Sequence, residues 1–241
     1  MSLTSIPVIY GIVPHETSSD QKHQLGVKGV TSDGRTYRYA QAGEAACAAG
    51  LLQMATDVEA NHEDRAVNTF AVGDRNITVT IGATAITANM YEEGFVNITD
   101  DTGQGIMYKI AHCPTHAGTG DVVITLAEPI RVAAIAGTTV TLIRNKYRDI
   151  LPTDGTVTDL PVGVPNVTIA VDYYGWVQTG GYCSILVGAG DTTPGADITI
   201  CDTTAGGVET RATVERTVGV QPAGAGADIG EYGIFELTLD N

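Results

Sequence analysis

The chain has 241 residues, 43% of them hydrophobic and only 17% charged, and carries a formal net charge of −15. This length holds one large core or two modest ones, and the apolar content is sufficient to fold it. So acidic a field repels phosphates and anionic membrane surfaces, so neither a nucleic-acid partner nor a membrane partner is expected.

Polarity comes from Thr, Gly, Asn and Asp, residues that suit strands and tight turns rather than long helices, which predicts an all-β fold. The opening MSLTSIPVIYGIVPHETSS lacks a basic leader region, and Pro7, Gly11 and Pro14 interrupt its apolar stretch, so it reads as part of a chain made in the cytoplasm. Ile6, Val8, Ile9, Ile12 and Val13 fit either an arm that adds a strand to a neighbouring chain or the first strand of the chain's own sheet. HQLGVKGV and RTYRYA then flank Asp33-Gly34, the signature of a tight hairpin, with Tyr37 and Tyr39 on one face of the second arm. QAGEAACAAGLLQMATDVEANHEDRAV is the one stretch rich in helix formers. Gly43 and Gly50 cut it short, leaving one short helix or an irregular Ala-rich strand pair.

From Asn68 to Asp149 the pattern is regular. NITVTI, AITANM, GFVNITD, GIMYKIAH, DVVITLAE, IRVAAIA and TVTLIR predict seven short strands, an inserted β domain over 68–149 within a discontinuous core of 1–67 and 150–241. LPTDGTVTDLPVGVPN reads as a linker or edge loop. VTIAVDYYGWVQTGGYCSILVGA predicts two strands turning at Thr179-Gly180-Gly181, with the single Trp176 in the first. ADITICDTT, TVERTVGVQ and YGIFELTLDN complete the set, giving a β-sandwich or barrel core with at most one short helix.

Motifs for chemistry fail on specific grounds. His112 and His116 have a metal-sharing spacing, but Pro114 between them breaks the helix that an HExxH-type zinc site requires. Asp100 and Asp101 begin a loop resembling a calcium site, yet the bidentate Glu is missing; with Glu92 and Glu93 close by, weak cation binding at this tip stays open. Ser184 lies in a strand pattern without a nucleophile elbow. A pair of glycosidase carboxylates leaves no local signature, but 6% aromatics argues against a sugar cleft. No catalytic, cofactor-binding or metal residues are therefore assigned, and no enzyme is predicted. Cys47, Cys113, Cys183 and Cys201 are scattered, as buried reduced thiols would be. The sequons at Asn76, Asn97 and Asn166 read as polar positions of strands.

Three segments in order, GRTYRYAQAGEAACAAGLLQ, NITVTIGATAITANMYEEGFVNITDDTGQGIMYKI and YYGWVQTGGYCSILV, resemble tailed-bacteriophage virion proteins that serve as head decoration or cement subunits. The resemblance covers most of residues 25–190. It implies synthesis in the host cytoplasm, a place on the head surface of the virion, no cofactor, and two partners. These are the major capsid protein, clamped from outside, and further copies of the chain itself, often as a trimer. Tyr37, Tyr39, Tyr174, Trp176 and Val177 are the candidate subunit or core contacts. A tail- or fibre-associated module that recognises a host surface through residues 70–148 is the alternative.

Overall fold

The computed structural model describes residues 7–156, 159–212, 215–224 and 226–240. In chain order the strands are β1 (Val8–Tyr10), β2 (Lys28–Val30), β3 (Thr36–Gln41), β4 (Gln53–Met54), β5 (Arg65–Ala66), β6 (Asn76–Ile81), β7 (Phe95–Asp100), β8 (Met107–His112) and β9 (Gly120–Leu126). There follow β10 (Thr139–Ile143), β11 (Leu151–Pro152), β12 (Pro161–Pro165), β13 (Tyr174–Leu186), β14 (Asp197–Ile200), β15 (Val208–Thr210), β16 (Gly219–Val220) and β17 (Tyr232–Thr238). The fold is all-β. No α-helix occurs among the described residues, and a single 3₁₀ turn at Ala60–His62 stands where a helix was the alternative.

The chain divides into two compact units, residues 1–56 with 146–241 and residues 57–145. The insert begins earlier than the sequence pattern suggests, because β5 belongs to its sheet: Arg65 and Ala66 pair with Val140 and Thr139 of β10. Residues 57–145 form a six-stranded sheet in the order β5-β10-β7-β8-β9-β6. An antiparallel bridge between Val67 and Val79, supported by the Asn68 amide donating to the Thr78 carbonyl at 2.9 Å, brings the two ends together into a barrel.

Strict alternation fills this barrel. Ile77, Val79 and Ile81, Val96 and Ile98, and Val122, Ile124 and Leu126 point inward while their neighbours face out. Two of the seven expected strands are not strands. In AITANM, Ile86 makes one isolated bridge to His116, and the chain then turns, with Asn89 at φ 62°. In IRVAAIA, Ile130 and Ala134 are core residues held by loop hydrogen bonds to Asp74 and Phe70. Both segments are apolar because they pack against the barrel core, not because they pair in its wall.

His62 is fully buried in this unit. Its Nε2 donates to the Thr84 carbonyl (3.0 Å), which leaves Nδ1 to accept from the Tyr91 hydroxyl (2.6 Å). Burial lowers the imidazole pKa, with Arg144 and Arg65 adding to the effect against the opposing Thr84 carbonyl and Glu59.

The other unit is built on an eleven-stranded sheet with the path β1-β2-β3-β13-β17-β16-β14-β15, while β4, β11 and β12 join off it. The β2–β3 hairpin turns at Gly34, φ 89°, and β1 pairs in parallel with β2, so the N-terminal segment supplies a strand to its own sheet. Ile6 lies outside the described residues.

The Ala-rich stretch runs extended. Ala42 and Cys47 bridge to Ile150 and Ile169, and a Cβ at Gly43 would lie 2.7 Å from the Asp149 carbonyl oxygen, too close for any larger residue without a shift. PVGVP is not a linker but the strand β12, buried at all five positions and paired with β4 and β13. Residues 157 and 158 of the proposed linker lie outside the described set. From TVERTVGVQ only Gly219 and Val220 are strand, and residues 213 and 214 are likewise outside it.

Candidate interaction surface

The expected hairpin at 179–181 is instead one strand. β13 runs unbroken for 13 residues, and at Gly180 it passes from β3 to β17 as its partner. The reason is Gln178, which is fully buried. Its amide Nε2 donates to the carbonyls of Gly180 (3.1 Å), Gly181 (3.3 Å) and Tyr182 (2.8 Å), spanning the bulge at Thr179 and the next residues, where Gly181 takes φ 82°. Its Oε1 accepts from the Tyr37 hydroxyl at 3.2 Å, and Asn166 donates to that same hydroxyl at 3.0 Å. Burial pushes the Tyr37 pKa up to about 12.

Beyond the bulge the sheet has one open face. Cys183, Ile185, Phe235 and Leu237 turn into the core. Between them Tyr182 is 60% exposed and Tyr232 and Ile234 are each 54% exposed, with Ser184 and Glu236 also in solvent. In register, Tyr182 faces Glu236, Ser184 faces Ile234 and Leu186 faces Tyr232, so these side chains form two adjoining rows. Ile229, in the preceding loop, is also exposed.

A groove of about 420 Å³ lies between Tyr182 and Tyr232, lined also by His15, Arg35, Asn166 and Ser184. A second, of about 460 Å³, lies between Tyr182, Asp33 and Glu236. Arg35 borders both and is held to Asp33 at 2.8 Å. The Asp33 carboxyl is held down to about 2, first by the Thr31 hydroxyl and then by Arg35, so it stays charged. The rim is thus polar, with both signs of charge, around an apolar centre, a composition suited to covering by another protein.

The five residues named from the sequence lie in the core of the same unit. Tyr37, Tyr39, Tyr174 and Trp176 share one cluster, and Val177 faces another with Val162 and Ile169. Nearby, the Arg38 guanidinium grips Asp240 through two bonds of 2.8 and 2.6 Å. Burial alone would raise the Asp240 pKa, but Arg38 and Lys28 outweigh it and hold it low.

The residues tested for chemistry are dispersed. His112 Nδ1 pairs with Glu92 at 2.8 Å, whereas His116 Nδ1 accepts from the Gly118 amide at 3.2 Å. Cys113 between them is buried, its thiol pKa pushed up to about 12 by burial and by Glu92. Asp100 ends β7 and Asp101 opens the turn after it; both are exposed, and the Asp100 carboxylate accepts its neighbour's amide. Ser184 is an exposed strand residue of the open face. All four cysteines are buried free thiols.

Two features escaped the sequence reading. Cys201, Asp202 and Glu209 bring ligand atoms within 4.8 Å of one another, and burial and Asp202 raise the Glu209 pKa; the Cys201 sulfur is already engaged by the Thr203 amide and hydroxyl. The open face was missed because Tyr232, Ile234 and their buried neighbours Phe235 and Leu237 are all apolar, so alternation does not reveal which side is covered. Comparison with known proteins returns no matching family model, no matching curated protein and no matching solved structure.

Proposed function

We propose that this chain is a tailed-phage virion structural protein of the head decoration type, which binds the outer capsid surface as a homo-oligomer and stabilises the shell. The observation that carries this reading is the open face of β13 and β17, where Tyr182, Tyr232 and Ile234 stand exposed on an ordered sheet. Large apolar side chains grouped on one face of a folded domain mark a surface for other protein chains. The sequence resemblance supplies the kind of partner, and the net charge of −15 suits a coat that must stay dispersed at high local concentration.

The test is co-sedimentation of the purified chain with isolated expanded phage heads, alongside light scattering of the free chain. Retention on expanded heads and a mass above the monomer support the reading. A strict monomer that stays in the supernatant overturns it.

A further inference from the structure

We propose a second site, distinct from the open face: a pocket for a compact methylated ammonium group, walled by Tyr39, Tyr174, Trp176 and His23. Register creates it. Tyr39 pairs with Trp176 and Gln41 with Tyr174 across β3 and β13, which sets the rings of the two strands on one face. Segment 16–23 then runs across that face. Ser18 and Tyr174 exchange backbone hydrogen bonds of 3.0 and 2.8 Å, and the Lys22 amide donates to the Tyr39 hydroxyl at 3.1 Å.

His23 stands edge-on to Tyr39, centroids 5.0 Å apart at 87°, and tilted against Trp176 at 5.4 Å. Trp176 meets Tyr39 at 5.1 Å and 65°, while Tyr174 lies nearly parallel to Tyr39 at 6.1 Å. A cavity of about 200 Å³ remains beside these rings, with Glu16 at its rim.

The chemistry of the walls selects the ligand. Ring faces carry negative potential, and a carboxylate at the mouth adds to it, so the pocket favours a cation. A hard metal ion finds a single carboxylate there beside neutral hydroxyls, too little anionic oxygen to replace its water. A methylated ammonium is weakly hydrated and presents methyl groups to the rings, the pairing that aromatic cages use. The one cation of the lining, Lys22, has its ammonium 3.7 Å from Asp20, and its side chain is 58% exposed. The net charge of −15 raises the local concentration of cations further.

Trp176 is the only tryptophan, so its emission reports on this pocket alone. The probe is choline, titrated against its neutral isostere 3,3-dimethylbutan-1-ol at ionic strength held constant with sodium chloride. Expected is a saturable change in emission with choline and binding of the alcohol about tenfold weaker. Glu16→Gln, at an exposed position, should weaken choline severalfold and leave the alcohol unchanged, with an unaltered melting temperature. Equal binding of choline and alcohol overturns the proposal, as does the absence of saturable change in both emission and the amide NMR shifts of Tyr39 and Tyr174. Flotation with phosphatidylcholine vesicles separates the sources: retention assigns the group to a lipid headgroup, and choline binding without retention assigns it to a soluble solute.

Discussion

The two halves of β13 share one strand and differ in what covers them. From Tyr174 to Thr179 every residue is buried, with the Trp176 cluster on one face and the Val177 cluster on the other. After the bulge, Cys183 and Ile185 remain buried while Tyr182 and Ser184 face solvent. The first half is fold core on both faces, and the second has one face in the core and one in solvent. Aromatic content alone does not distinguish them, since Tyr174 in the first half is buried and Tyr182 in the second is exposed.

The largest expected effect lies in the covered half. Trp176→Ala should cost about 3–5 kcal/mol, read by urea unfolding with circular dichroism. A cost as small as that of a change at Tyr182 would break the distinction. At the junction, Gly181→Val forces a branched side chain to φ 82° and against Arg35, and should cost about 1–3 kcal/mol in thermal melts. A neutral result there would mean that the backbone conformation at Gly181 is not what the change of partner requires.

Acid provides a probe of the other unit, through His62. The folded-state pKa of His62 lies below its usual value, so as pH falls below about 6.5 the unfolded chain takes up this proton first. The contribution of neutral His62 to the barrel of residues 57–145 is therefore fully present above that pH. Below it, stability declines by at most about 1.4 kcal/mol per pH unit until the folded imidazole also protonates. His62→Asn should abolish that slope in pH-dependent unfolding.

The smallest change in stability is expected on the open face. Tyr182→Ser with Ile234→Ser should shift stability by about 0.5 kcal/mol or less for each substitution, yet abolish co-sedimentation with expanded heads. Retained binding by this folded double variant would remove the face from the proposed function.

The sequence alone determined the all-β class, the β2–β3 hairpin and five of the barrel strands, because period-2 alternation and the Asp33-Gly34 pair are local properties of strands and turns. It also determined that the four cysteines lie inside, since their scatter suited neither a disulfide framework nor a CxxC motif. Tertiary structure alone decided that AITANM and IRVAAIA pack against a barrel core rather than pair in its wall, and that PVGVP is a buried strand. It decided that β13 is continuous, because a side chain from within the strand, Gln178, ties the backbone at Gly180 and Gly181. It decided too which aromatics are covered. Apolar patterning records that a residue can be buried, whereas the partner that buries it lies elsewhere in the chain or, for Tyr182 and Ile234, on another molecule in the function proposed here.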